Sequence, residues 1–293
     1  MTPFTLFGMN PAAAGSIAGV IASLLACLAG LIALFKLVRE MMDTESAFRA
    51  VFYLLIFPSA FIMGMVYTES LFIAVSLWVL LLSYRKKWVL ASILAAIAVW
   101  VRAQGAVLAL PLGIAWLMNL DFKKPLHEQL TKSFILQGVL VLLPVFSFII
   151  WRVGPMGQNW TILQDFWYHR KLLSFKNTFN AWRLQIEFAI KNGGQAIVYT
   201  IMDLSAVLIA VFASFSILKK YPVIAIYSLV LILVSAFSGS AESLIRYMLV
   251  VPAVYIALAR FGKNFVFDKG WTILSILLFG VEAMLFTFKM WVG

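Results

Sequence analysis

The sequence is poor in cysteine, histidine and charged residues. A single cysteine, Cys27, excludes an intramolecular disulfide framework, and two histidines, His127 and His169, leave little material for a histidine-based metal centre. Charged residues make up 12% of the 293 positions, whereas about 25% is usual for soluble domains. The chain is therefore not a soluble enzyme with an ordinary core.

Most of the sequence consists of long apolar runs. Hydrophobic residues make up 63% of the chain, and the mean hydropathy is +0.99. The runs are apolar on all sides, which is typical of transmembrane helices and not of alternating barrel strands. We predict an all-α, polytopic transmembrane protein, a single domain over 1–293, with about ten membrane segments. They lie near 17–38, 50–66, 68–84, 88–101, 103–118, 133–152, 197–218, 222–239, 244–260 and 271–290.

The net charge of +11 is interpreted as topology and not as nucleic-acid binding. Lysine and arginine concentrate in one set of loops, which we predict to be cytoplasmic. Both termini and the long connection 153–195 then form the outer face. No basic segment with a cleavage site follows Met1, so no cleavable signal peptide is expected. The expected location is a multi-pass position in the plasma membrane of a bacterium or the endoplasmic reticulum of a eukaryote.

Three polar groups lie beside apolar runs, and all three fall on the predicted outer face. The first surrounds Glu69, the second Arg102 and the third Arg246. Charges within spans cost about 2.5–3.5 kcal/mol, so these residues need an explanation. The arginine fork matches phosphate oxygens, and a carboxylate beside a sugar hydroxyl can act as a general base. The pattern favours an anionic, lipid-linked substrate. The alternative is that both arginines pair with Glu69 or Glu242 to hold helices together.

Other polar residues leave two interpretations open. Asp203 and Glu282 lie in apolar runs and are either structural or functional. The aromatic stretch Gln164–Arg170 is flanked by Trp160 and Trp182. It favours an interfacial aromatic belt over a sugar or headgroup site.

The same three groups carry a resemblance to a known family. The segments FPSAFIMGMVYTESLF, VRAQG and SLIRYMLVVPAVYIALA resemble, in order and spacing, the PIG-V-type mannosyltransferases. That family belongs to the GT-C integral-membrane glycosyltransferases. The resemblance implies a GT-C-like fold and transfer of a hexose, typically mannose, from a polyprenyl- or dolichyl-phosphate carrier at the non-cytoplasmic face. Eukaryotic members of the family build the glycosylphosphatidylinositol anchor.

Individual residues then have expected roles. Glu69 is the expected catalytic residue, which positions or deprotonates the acceptor hydroxyl in place of or beside the acid that family members carry in another loop. The expected substrate-binding residues are Tyr67, Arg102, Gln104, Arg246 and Tyr247. No metal and no cofactor are expected. The expected partners are the lipid-phosphate-linked sugar donor and membrane lipids, without nucleic acid.

The chain departs from the family at one motif. Members usually carry a Trp-Asp pair in a first outer loop, and no such pair occurs here. The chain is a fragment, or it uses another acid such as Glu69, or it has lost transferase activity; the first two are favoured. Two other functions remain open: a transporter or flippase for a lipid-linked substrate, and a non-catalytic, truncated homologue that acts as a subunit.

Overall fold

The computed structural model describes residues 8–288 except residues 122, 169 and 172. Every regular element in that part of the chain is helical, which confirms the all-α prediction. The α-helices are α1 (Pro11–Met41), α2 (Thr44–Leu55), α3 (Glu69–Tyr84), α4 (Trp88–Val101), α5 (Ala109–Leu117), α6 (Leu126–Gln129), α7 (Lys132–Val141), α8 (Leu143–Val153), α9 (Pro155–Tyr168), α10 (Phe175–Asn192), α11 (Gly194–Ile217), α12 (Pro222–Ala236), α13 (Leu244–Leu249), α14 (Pro252–Phe261) and α15 (Phe265–Thr287). Two 3-10 helices cover Ala60–Gly64 and Ala103–Leu108.

Among the described residues, four helical segments are long and apolar enough to cross a membrane. They are α1, the combined segment Lys132–Val153, α11 and α15. The other apolar helices, including α3, α4, α12 and α14, have 10–17 residues. At 1.5 Å per residue, a 16-residue helix covers about 24 Å, which is less than the hydrocarbon thickness of about 30 Å. The predicted number of about ten spans therefore exceeds the number of helices that reach this length.

Three predicted spans are interrupted or irregular at the polar groups, and a fourth, 133–152, divides into α7 and α8 at Leu142, away from these groups. In the predicted span 50–66, α2 ends at Leu55, and the chain passes Pro58 before the 3-10 helix Ala60–Gly64. The span 103–118 begins as a 3-10 helix, and the span 244–260 divides into α13 and α14. Pro252 starts α14 because proline lacks the N–H that a continuing helix needs. At these breaks, backbone groups and polar side chains are not used within a regular helix and can form a binding site.

The centre of the molecule is formed by α14, whose residues from Pro252 to Ala259 are all buried. It packs against α2 and α11, while α3 packs against α1 and α4. The four long segments lie differently, since only 11 to 28% of their most apolar stretches is buried. Their large exposed apolar surfaces are typical of helices that face lipid.

Contacts bring together loops that the charge pattern assigns to the cytoplasm. Arg85 Nε donates to Glu40 Oε1 at 3.0 Å, and Lys263 Nζ donates to Asp43 Oδ2 at 2.9 Å. A hydrogen bond from the Ser46 N–H, and then the Lys263 ammonium, hold the pKa of Asp43 well below its usual range. These loops therefore meet at one end of the bundle. Which side of a membrane that end faces stays a prediction.

The connection 153–195, predicted as an outer-face loop, is helical over most of its length because it contains α9 and α10. The link between these helices is tied to the chain after α12. The Lys171 N–H donates to Ser238 O at 2.8 Å, and the Ser174 N–H donates to Phe237 O at 2.8 Å. These bonds place the Arg170 region beside the start of α13.

Candidate functional site

The three polar groups predicted from the sequence meet at one buried carboxylate, that of Glu69, which pairs with an arginine from each of the other two groups. Glu69, the first residue of α3, is 2% exposed. Its Oε1 lies 2.9 Å from Arg102 Nη1 and 3.1 Å from Arg246 Nε. Both arginine side chains are also largely buried, at 13% and 16% exposed. The three helix interruptions thus meet at one ionic centre.

The Tyr247 ring is a platform for three guanidinium groups. The Cζ atoms of Arg102, Arg170 and Arg246 lie 5.2, 5.1 and 5.4 Å from the ring centroid. Arg170 Nη1 also donates to the Tyr247 hydroxyl. These distances fall within the range of about 6 Å for cation–π attraction. One aromatic ring therefore gathers cations from three separate segments.

Further contacts complete the site. Arg246 Cζ lies 5.3 Å from the ring of Tyr67, which is 43% exposed and forms the open rim. Arg170 Nη2 donates to the Glu242 carbonyl at 3.1 Å. We call Tyr67, Glu69, Arg102, Arg170, Arg246 and Tyr247 the arginine cluster.

The arginine cluster contains more cationic than anionic side chains. Its six residues include three guanidinium groups and one carboxylate. Glu69 Oε2 is buried and has no hydrogen-bond partner among the described residues. Buried ionic groups are stable only where partner groups satisfy their charge and hydrogen bonds. The site is therefore suited to an anion that presents several oxygens to arginine.

The position of Arg102 depends on a close backbone approach. Arg102 ends α4 with extended backbone, at φ −151° and ψ 138°, and its carbonyl accepts from the Gly105 N–H at 2.8 Å. A Cβ at Gly105 would lie 2.3 Å from the Ala98 carbonyl carbon. Only glycine lets the chain fold back on α4 at this point, which turns Arg102 towards Glu69.

The position of α13 depends on Asp203 in α11. Asp203 Oδ1 accepts from the Ile245 N–H at 2.9 Å, and the N–H groups of Leu244 and Ser243 also lie near the carboxylate. Ser243 has φ +63°, a left-handed conformation that costs free energy in a residue other than glycine. Successive N–H groups of this kind form a concave anion site, filled here by the carboxylate. Asp203 thus holds the segment that presents Arg246.

Five of the six residues predicted from the sequence come together in the arginine cluster. They are Tyr67, Glu69, Arg102, Arg246 and Tyr247. The sixth, Gln104, donates from Nε2 to Ser235 Oγ at 2.9 Å. Its predicted role in substrate binding stays a prediction.

Sequence reasoning did not include Arg170 among the site residues. The signal was present in the aromatic stretch Gln164–Arg170, for which we favoured an interfacial belt. Phe166 and Trp167 are 71% and 68% exposed, as a belt requires, while Arg170 turns inward to Tyr247. His169, in the same stretch, lies outside the described residues.

No protein-family model matches this chain, and no curated protein or solved structure matches it either. The resemblance to PIG-V-type mannosyltransferases therefore rests on the motifs alone. Among the described residues there is no group of three or more His, Cys, Asp or Glu side chains placed to hold a metal ion. The pairing of both arginines with Glu69 also fits the alternative in which these charges only hold helices together.

Proposed function

We propose that the arginine cluster binds the phosphate of a lipid-linked sugar and that the protein is a GT-C-like membrane glycosyltransferase. The observation that carries this proposal is the gathering of three guanidinium groups around one aromatic ring, that of Tyr247. The sugar is a hexose, with mannose favoured by the motif resemblance. The acceptor is a hydroxyl group on a second substrate at the same membrane face.

The location of the cluster supports a substrate that is anchored in lipid. The cluster lies where α3 begins, where α4 ends and where α13 interrupts a predicted span. The loops rich in lysine and arginine contact one another through other ends of these helices, at Glu40–Arg85 and Asp43–Lys263. A lipid phosphate would reach the cluster from the face opposite to these lysine- and arginine-rich loops. Its lipid tail would then lie beside the exposed apolar helices.

The proposed reaction is an inverting displacement at the anomeric carbon. The acceptor oxygen forms a bond to that carbon as the bond from the carbon to the phosphate oxygen breaks. The bonding electron pair stays on the leaving lipid phosphate, where the arginines stabilise the developing charge. Glu69 Oε1 orients Arg102 and Arg246, while Oε2 accepts the proton of the acceptor hydroxyl.

The test uses the full chain in membrane vesicles supplied with radiolabelled polyprenyl-phosphate mannose. We expect label in an acceptor product and a loss of about 10²–10³ in rate for Arg246→Ala, the usual effect of removing one electrostatic stabiliser. Arg183→Ala is the matched control, because Arg183 lies on α10 and its side chain is 61% exposed. The control should retain full activity.

Three outcomes would overturn the proposal. Unchanged transfer by a fully expressed Arg246→Ala protein would remove the arginine cluster from the reaction. Movement of the labelled donor across the vesicle membrane without bond cleavage would indicate a transporter or flippase. Product that forms only with a partner transferase, and equally well with Arg246→Ala, would indicate a non-catalytic subunit.

A further inference from the structure

A second concave site lies next to the arginine cluster. A cavity of about 820 Å³ is bordered by α9, α10, α11, α15 and the segment before α13. This volume is within the usual range of about 300–1,000 Å³ for ligand pockets. Its lining includes Trp167, Gln185, Tyr199, Asp203, Glu242 and Glu282.

The charge of the cavity is opposite to that of the arginine cluster. Asp203, Glu242 and Glu282 line it, and none of its described lining residues is a lysine or arginine. An anionic group such as phosphate would be repelled here, whereas the arginine cluster favours one. The two sites are therefore suited to different parts of a reaction, or to different ligands.

Glu282 is the residue that points most directly to a ligand. Its side chain is 2% exposed, and Oε2 has no hydrogen-bond partner among the described residues. Leaving a buried polar atom unsatisfied costs about 1–3 kcal/mol, and more when the group is charged. Asp203 differs, because backbone N–H groups at the start of α13 already engage it. A hydrogen-bond donor on a ligand would satisfy Glu282.

The remaining lining combines amide groups with aromatic faces. Gln185, Asn192 and Gln195 offer both donors and acceptors, and Trp167 and Tyr199 offer flat apolar surfaces. Ring hydroxyls donate to carboxylates and exchange hydrogen bonds with amides, and the C–H face of a ring packs on an aromatic side chain. A neutral ring with several hydroxyl groups satisfies all three kinds of lining group at once.

We propose that this acidic cavity binds a neutral, polyhydroxylated ring, a sugar or cyclic polyol. The binding site itself follows from the lining of the cavity alone. Its assignment to the acceptor of the transfer reaction rests on the proposed function. Ile245 lines the cavity, and the next residue, Arg246, belongs to the arginine cluster. A ring held in the cavity would therefore lie beside the phosphate site.

The test measures binding by saturation-transfer NMR with the full chain in lipid nanodiscs that contain no sugar detergent. The neutral probes are methyl α-glucopyranoside and methyl α-mannopyranoside. Mannose 6-phosphate is the anionic comparison and glucosamine the cationic one. A bilayer lipid with one neutral hexose headgroup then competes with the free probe, which distinguishes a glycolipid ligand from a free sugar.

Two variants localise binding to the cavity. Glu282→Gln replaces a buried carboxyl group with an amide of similar size, and Ala196→Phe fills part of the cavity from the partly exposed wall of α11. We expect each to weaken binding of a neutral probe about tenfold, because the first change removes the hydrogen bond to the carboxyl group and the second removes the space for the ring. Glu187→Gln, at a 62% exposed acid on α10, is the matched control and should bind as the native protein does.

The possible results separate this proposal from the transferase assignment. Binding of a neutral probe that is lost in both variants and kept in the control supports the cavity site, whatever the transfer assay shows. No binding of either neutral probe, or binding unaffected by both variants, would overturn it. Preferential binding of the phosphate or of glucosamine would overturn the neutral chemistry.

Discussion

Replacement of Glu69 by glutamine tests whether the arginine cluster is an anion site or only a helix clamp. The carboxylate is 2% exposed and holds two guanidinium groups at 2.9 and 3.1 Å. At an effective dielectric constant of about 20, each contact corresponds to roughly 5 kcal/mol of gross attraction, which the desolvation of buried charges largely offsets. Glutamine keeps the volume and removes the charge, so buried arginines lose their counter-ion.

The expected net loss of stability is about 3–5 kcal/mol, as for other buried pairs that lose one partner. At roughly 2–4 °C per kcal/mol, the apparent Tm should fall by about 10 °C. The measurement is intrinsic tryptophan fluorescence during heating of the full chain in nanodiscs. Glu45→Gln is the matched control, since its partner is also an arginine but Glu45 is 76% exposed. That change should cost less than about 1 kcal/mol.

Inorganic phosphate separates the two interpretations. If the cluster binds anions, phosphate replaces the lost charge, and at about 100 times its Kd it restores about 2.7 kcal/mol. Chloride at the same ionic strength should restore much less, because it offers no array of oxygens. A Tm drop no larger than that of Glu45→Gln would refute the burial argument. A large drop that phosphate does not reverse would refute the anion site and favour the helix clamp.

Two further variants test how the backbone presents the cluster. Gly105→Ala should destabilise the protein by about 1–3 kcal/mol or more, because the new Cβ meets backbone of Ala98 that cannot move aside. The control is Gly113→Ala, whose new Cβ makes only an ordinary contact at 3.8 Å and should be tolerated in a thermal melt. Equal Tm values for the two variants would contradict the packing argument. Asp203→Ala should lower phosphate affinity about tenfold, because α13 loses its hydrogen bond to a carboxylate. Asp203→Asn keeps an acceptor oxygen and should recover most of the affinity in the same phosphate titration. If Asp203→Asn binds phosphate as weakly as Asp203→Ala, the positioning role of Asp203 is excluded.

Much of the site was predictable because polar residues are costly in apolar runs. Glu69, Arg102 and Arg246 each interrupt such a run, so the sequence alone predicts that they belong together. The structure brings them within ion-pair distance. Arg170 could not be found in the same way, because it lies in a stretch of mixed polarity. An arginine there has no large desolvation cost, so the sequence gives no reason to expect a partner for it.

The number of membrane spans was the weakest part of the sequence prediction. Mean hydropathy does not distinguish a helix that crosses lipid from a short apolar helix packed against protein. The helix α14 is apolar apart from Arg260, yet it has 10 residues, and eight consecutive residues in it are buried by neighbours. The length of each helix and the extent of its burial depend on how the helices pack.

The sequence by itself determined the all-helical class and the identity of most of the charged groups. These follow from local chemistry, because long apolar runs form helices and a charged residue beside such a run is costly enough to stand out. The tertiary structure alone decided that one carboxylate faces two arginines, that Arg170 joins them on Tyr247, and that Asp203 holds α13. It also decided that Glu282 lines an acidic cavity beside the cluster. These contacts join residues far apart in the chain, so their geometry depends on how the helices pack and not on any local pattern.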